Sequence, residues 1–179
     1  VPLVDLSGRR RLLDVGGGPG TYSALFTLAY PGLRSTVMDL PDVIALAAEI
    51  LASMEAADRV DVLAGDYKRT RFPDRNDAVL ISGVFHRETE ETCRELITRA
   101  RDSLVPGGLL VVSDVFTEEG GASPSFAALF GLNMMLCSPD GGVHSDADVA
   151  AWMTDAGFHN LERTPFPPPL PHRVVTGTR

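Results

Sequence analysis

Asp14-Val15-Gly16-Gly17-Gly18-Pro19-Gly20, reached directly from Arg11-Leu12-Leu13, is the stretch on which the fold turns. It reads as a strand that ends in a glycine turn and feeds a helix. A backbone that turns this tightly against a ligand needs residues that tolerate positive φ and carry no Cβ, and the helix that follows offers free N–H groups. The glycines make room for something bound. Their spacing narrows what that is, because Gly16, Gly18 and Gly20 fall as Gly-x-Gly-x-Gly, with Thr21 where a dinucleotide fingerprint would put its third glycine. A nicotinamide-dependent oxidoreductase is correspondingly the weaker reading.

Outward from this loop, strand and helix patterns alternate. Residues 22–30 are apolar at helical spacing and stop at Pro31-Gly32; 35–38, 60–64, 78–81 and 109–112 read as strands. Helices are predicted over 43–54 and over 88–104, the second charged, amphipathic and closed by Pro106-Gly107-Gly108. Such βαβ alternation implies a doubly wound parallel sheet with helices on both faces. Beyond Ser123 the pattern changes: 126–137 is a helix apolar nearly all round, 145–156 a second helix with Asp146 and Asp148 in its first turn, and 161–164 and 173–176 are strands around a proline-rich connection. They suit a terminal antiparallel hairpin. The opening residues, Val1 to Leu6, read like the tail of a helix, which suggests that a preceding segment is missing.

Composition limits the partners. A chain of 179 residues with 44% hydrophobic and 22% charged side chains fits one globular domain. No apolar run approaches the ~20 residues of a membrane span and no signal segment opens the chain, which points to the cytoplasm. The formal net charge of −8 argues against nucleic acid, whose binding calls for a basic face, and favours a small-molecule substrate. Cys93 and Cys137 have no metal-ligand spacing; no metal is expected, and two reduced, mostly buried thiols are.

In a doubly wound sheet the ligand sits at the carboxyl ends of the strands, and several acids fall there. Asp39 closes the second strand and is placed to accept from ribose hydroxyls; with Pro41 at the first helical position, Leu40 is the cap and Asp39 stands outside it. Asp66 closes the third strand, where it would accept from an adenine amino group with Tyr67 packing near the ring, although Asp is also ordinary in turns. His86 follows the fourth strand after Ser82-Gly83-Val84-Phe85. Position alone leaves it either a base or a satisfied structural histidine.

Together these pieces resemble a known family. The acid before the glycines resembles the first motif of class I S-adenosylmethionine-dependent methyltransferases. The stretch from Asp14 to Gly157 is similar to the catalytic domain of plant-type O-methyltransferases, the caffeate and hydroxyindole type with bacterial secondary-metabolism members. Its matching pieces are the glycine loop, Met38 to Ile44, Gly65-Asp66, His86 to Cys93, Leu104 to Gly108, and Gly141-Gly142 followed by a helix ending at Ala156-Gly157-Phe158. The resemblance implies a Rossmann-like sheet over residues 1–179, S-adenosylmethionine as cofactor, S-adenosylhomocysteine as product, and methylation of a hydroxyl on a small aromatic acceptor. It assigns the cofactor to Asp14, Gly16, Gly17, Gly18, Gly20, Asp39, Leu40, Asp66, Tyr67 and Ser82. His86 becomes the general base and Asp114 the acid that flanks it. Phe130, Asn133 and Met134 would line the acceptor, although core packing serves the methionines equally well. His144 is either a second base or acceptor contact, or an exposed residue at a helix entry.

The chain also departs from that pattern. Arg87 stands where the family has an acid after the histidine, and Val143-His144 where a second flanking acid follows the glycine pair. Relatives with the same fold and cofactor catalyse decarboxylation or hydroxylation, and a binding module without turnover is a further alternative. The family's N-terminal helical domain, which makes a homodimer and part of the acceptor pocket, has no counterpart in this sequence.

Overall fold

The computed structural model describes residues 3–54 and 57–179. A seven-stranded sheet runs through them in the order β3-β2-β1-β4-β5-β7-β6, with β1 Arg11–Val15, β2 Arg34–Asp39, β3 Val60–Ala64, β4 Asn76–Ser82, β5 Leu104–Asp114, β6 His159–Pro165 and β7 Arg173–Thr178. The first five are parallel, and β7 inserts antiparallel between β5 and β6. This is the expected mostly parallel α/β sheet with an antiparallel C-terminal hairpin. Among the described residues five α-helices connect the strands: α1 Thr21–Ala29, α2 Pro41–Ala52, α3 Glu90–Ser103, α4 Ser125–Cys137 and α5 Asp146–Asp155.

Period-2 alternation splits the core between the two faces of the sheet. Leu13, Val15, Ile81 and Val112 pack with Leu96 and Ile97 of α3 and Trp152 and Met153 of α5. On the opposite face Leu12, Leu80 and Val111 pack with Phe26 of α1, while Val37 meets Ala24, Ile44 and Leu51 of α1 and α2. Helix starts follow local chemistry. Thr89 caps α3 through the Thr92 N–H at 3.3 Å, and Ser145 caps α5 through the Asp148 N–H at 3.0 Å. Leu40 stands at the N-cap of α2 with Pro41 just inside it, as the sequence predicts.

Four expectations need correction. Residues 3–8 form turns and irregular backbone rather than a helix tail, with Asp5 Oδ1 accepting the Ser7 N–H at 2.8 Å; residues 1 and 2 lie outside the described ones. The strand after α3 begins at Leu104, not at Leu109. Pro106-Gly107-Gly108 stays in the sheet because the Gly107 N–H donates to the Arg179 carbonyl and the Arg179 N–H to the Gly108 carbonyl. Cys137 is exposed; only Cys93 is buried. Finally, α4 buries only Ala127 and Gly131 and turns Phe126, Leu129, Leu132, Met135 and Leu136 to solvent. It packs on the turn at residues 85–87 instead of on the sheet, so its methionines are not core residues.

Candidate active site

The glycine loop sits at the carboxyl edge between β1 and α1, and its glycines serve different ends. Gly16, Gly18 and Gly20 all have positive φ, at 66°, 56° and 78°. A Cβ at Gly16 would lie 2.7 Å from Val84 Cγ2, and one at Gly17 would lie 2.6 Å from Asp14 Cγ. Both positions exclude a side chain for packing reasons. At Gly18 a Cβ would meet nothing within 4 Å, because this residue faces open space. Gly20 differs again: it is the left-handed N-cap of α1, and a Cβ there would press on Leu51 and Val37. Gly20 borders neither of the two cavities that adjoin the loop, so its part is conformational.

Two cavities share Gly16 and Gly18. The larger, about 670 Å³, is walled by Asp39, Leu40, Asp66 and Tyr67, and the smaller, about 270 Å³, by Asp14, Gly17 and Ser82. All the residues assigned to the cofactor from sequence except Gly20 therefore border one or other of two adjoining cavities around the loop, whereas His86, Asp114, Phe130, Asn133, Met134 and His144 line neither. Several other lining residues carry no such signal in the sequence. Val43, Lys68 and Glu88 line the larger cavity, and Ser138 and Asp140 reach it from the loop after α4. A polar loop distant in sequence carries no local signal of where it folds back.

The acids differ in what they have left to give. Asp14 is buried, its Oδ2 accepts the Ser23 hydroxyl at 2.7 Å, and its Oδ1 has no partner. Burial pushes its carboxyl up to about 6, with the charge of Asp39 adding to the effect. Asp39 uses one oxygen to accept the Gly18 N–H at 2.8 Å and the other to accept the Leu40 N–H at 2.7 Å. It ties the second strand to the glycine loop and keeps a lone pair on each oxygen for the cavity. Asp66 accepts the Lys68 N–H at 2.8 Å in an Asx turn, and its Oδ2 lies 3.7 Å from Arg69 Nε. Tyr67 donates its hydroxyl to Glu88 Oε1 at 2.7 Å, and Lys68 Nζ lies 2.6 Å from Glu88 Oε2. Burial, then the bond to Glu88, pushes the Tyr67 phenol up, so it stays a donor at neutral pH.

His86 sits in the one-turn 3₁₀ helix Phe85–Arg87 that follows β4. Its Nδ1 lies 2.8 Å from Asp114 Oδ1 at the end of β5, and its backbone N–H donates to Asp114 Oδ2 at 3.2 Å. A buried carboxylate only accepts, so Nδ1 carries the proton and a neutral ring keeps its lone pair at Nε2. Cε1 of the ring lies 3.9 Å from the Cβ position of Gly83, a residue of the larger cavity wall. Phe130 of α4 meets the imidazole edge-to-face, centroids 5.2 Å apart, and Phe126 stacks beyond it. The acid expected beside the histidine is thus present in Asp114, while Arg87 is exposed on the cavity rim.

Of the remaining predicted residues, Met134 is half-buried and Asn133 exposed on α4. His144 is not an exposed helix-entry residue. It is half-buried, its Nε2 lies 3.0 Å from the Glu88 carbonyl oxygen, and its ring meets Trp152 edge-on with centroids 5.1 Å apart.

This arrangement can hold a nucleoside beside an oriented base, and comparison with known proteins says whose arrangement it is. Residues 1–159 match the O-methyltransferase domain family, and the chain belongs to it. It is 35% identical over 176 residues to a 3-hydroxy-5-methyl-1-naphthoate 3-O-methyltransferase of Streptomyces sahachiroi, a match that covers 98% of this chain and 51% of that protein. It is 38% identical over 158 residues to the acetylserotonin O-methyltransferase of Rattus norvegicus, covering 88% of this chain and 36% of the relative. Among solved structures, the S-adenosylmethionine-dependent methyltransferase SibL superposes with a TM-score of 0.88 at 31% identity, over 97% of this chain and 51% of SibL. The chain thus spans about half the length of these relatives, or less.

Proposed function

We propose that this member of the O-methyltransferase domain family binds S-adenosylmethionine in the cleft around the glycine loop and methylates a hydroxyl of a small aromatic acceptor, with His86 as general base. The observation that carries the reading is the His86–Asp114 pair, with His86 in the turn whose neighbours Val84 and Arg87 line the larger cavity. The relatives' names point the same way, since they are methyltransferases of a naphthoate and of acetylserotonin.

The residues present fit the cofactor. The unpartnered, buried Asp14 Oδ1 suits a ligand ammonium, the open face of Gly18 leaves room for a close backbone approach, and Asp39 has lone pairs left for ribose hydroxyls. Asp66 and Tyr67 bound the part of the larger cavity that would take the adenine, and Ser82 borders the smaller one beside Asp14. The cofactor supplies a methyl group on a positively charged sulfonium, already activated for displacement. The protein's own work is alignment and proton removal. Asp114 holds the ring through Nδ1, which leaves the lone pair at Nε2, and Nε2 takes the acceptor's hydroxyl proton as the oxygen attacks. Asp114 then steadies the imidazolium. Phe130 offers an aromatic face beside the base, and Asn133 and Met134 continue that wall.

We further propose a cytoplasmic setting and, for the full-length protein, a homodimer that acts on small molecules rather than on nucleic acid. No helix among the described residues is long and apolar enough to cross a membrane.

Two results are expected at the cofactor. Asp39→Ala removes a charged acceptor and its tie to the Gly18 N–H, and weakens S-adenosylhomocysteine binding by about 1.5–3 kcal/mol, the range for hydrogen bonds to charged groups. Asp66→Asn costs less. Calorimetry checks both, and equal, negligible losses would reduce the acids to turn residues. The second result is a pH dependence. Binding a ligand ammonium needs Asp14 ionised, and its carboxyl in the empty protein sits at about 6. Affinity is therefore constant above that pH and falls by up to about tenfold per unit below it, as protonation competes with the ligand. A flat titration from pH 7 to 5, or loss of the decline in Asp14→Ala without loss of affinity at pH 7.5, contradicts the assignment.

A further inference from the structure

The turn that carries His86 is held from two sides, and only one of them is Asp114. On the other side the His86 carbonyl accepts the Gly142 N–H at 3.0 Å, and the Glu88 carbonyl, two residues on, faces His144 Nε2 at 3.0 Å. A carbonyl has no proton to give, so Nε2 of His144 must carry one. That ring atom is a donor and cannot serve as a base.

We infer that His144 is a positioning residue for the base: its Nε2–H clamps the Glu88 carbonyl and thereby fixes the turn that presents His86 to Asp114. The inference rests on the proposed role of His86.

The ring itself is well seated. Trp152 of α5 meets it edge-on, and the guanidinium of Arg94 on α3 lies over the same indole at 5.4 Å from the centroid. His144 thus transmits the position of two core helices to the turn. Cys93 Sγ stands 3.6 Å from the same Nε2, and burial pushes that thiol up, so it is a neutral neighbour and not a competing anion. The clamp also reaches the cofactor cleft, because the side chain of Glu88 receives the Tyr67 hydroxyl and approaches Lys68. Residue 88 is therefore gripped at its backbone by the loop before α5 and at its carboxylate by the wall of the larger cavity.

The geometry makes a prediction about hydrogen positions that needs no acceptor substrate. In the wild-type chain saturated with S-adenosylhomocysteine, long-range proton–nitrogen correlation spectra should show His144 as the Nε2–H tautomer and His86 as the Nδ1–H tautomer. The opposite tautomer at His144 overturns the inference. His144→Phe keeps a ring against Trp152 but loses the donor. It should leave S-adenosylhomocysteine affinity within about threefold while the His86 Nδ1–H resonance, assigned by its loss in His86→Ala, broadens away through exchange with water. His144→Gln, which returns an N–H donor, should restore that resonance. With an acceptor in hand, kcat falls by about ten- to a hundredfold in His144→Phe with KM unchanged, the scale of a base misplaced by an ångström or less. A sharp, wild-type His86 resonance in His144→Phe reduces His144 to packing. A protein that transfers no methyl group would sink the functional reading and leave the tautomer result standing.

Discussion

His86→Ala is expected to lower methyl transfer by about 10²–10⁴-fold, the usual worth of a positioned general base, while cofactor affinity stays nearly unchanged. The asymmetry follows from where the ring points. Nδ1 is spent on Asp114 and the ring packs against Phe130, so Nε2 is the ring nitrogen left to serve the acceptor. A neutral imidazole can accept from a phenol, whose own pKa of about 10 falls as the oxygen attacks. The comparison is made on a phenol that the wild-type protein methylates, by single-turnover rates with saturating cofactor. Equal rates in both proteins would leave alignment as the sole catalytic device and favour non-methylating or base-free chemistry.

Gly18→Val should reduce S-adenosylhomocysteine binding by more than a hundredfold. Two separate costs fall on one residue. A β-branched side chain at φ 56° is strained, on the order of 1–3 kcal/mol, and its methyls occupy the open space that the glycine leaves beside both cavities. Gly20→Ala is the informative contrast. It also strains a left-handed residue, but its Cβ presses on Leu51 and Val37 in the core. It should lower the melting temperature while leaving the affinity of the folded protein far less altered. Equal affinity losses in the two variants would mean that Gly18 acts through the fold and not through the ligand.

How far the sequence reveals such a site depends on how local each signal is. The glycine loop, the acids at the strand ends and His86 all lie within a few residues of a strand terminus, and topology alone brings strand termini to one edge. Their grouping could be read before any coordinates. The partner of His86 stands 28 residues away and entered only through family resemblance, yet the structure puts Asp114 Oδ1 on Nδ1. What could not be read depends on loops. Ser138 and Asp140 reach the cavity, and Gly142 and His144 hold the catalytic turn, because the chain after α4 folds back across the sheet edge. Nothing in their own spacing announces it. The apolar pattern of α4 was equally ambiguous, since a helix hydrophobic on all sides is ordinarily core. Here it rests on the 85–87 turn and leaves Leu129, Leu132 and Leu136 in solvent. The strand at 104–108 is not legible because Pro106 and two glycines disfavour a strand interior, a preference overridden by the pairing of Leu104 with Asn76 and of the glycines with residue 179.

The most direct measurement of the central claim is the wild-type arm of these titrations, run with S-adenosylhomocysteine and separately with NAD. Saturable one-to-one heat with S-adenosylhomocysteine, lost in Gly18→Val, and none with NAD is the predicted result. Binding of NAD with no response to S-adenosylhomocysteine would contradict the account at its root.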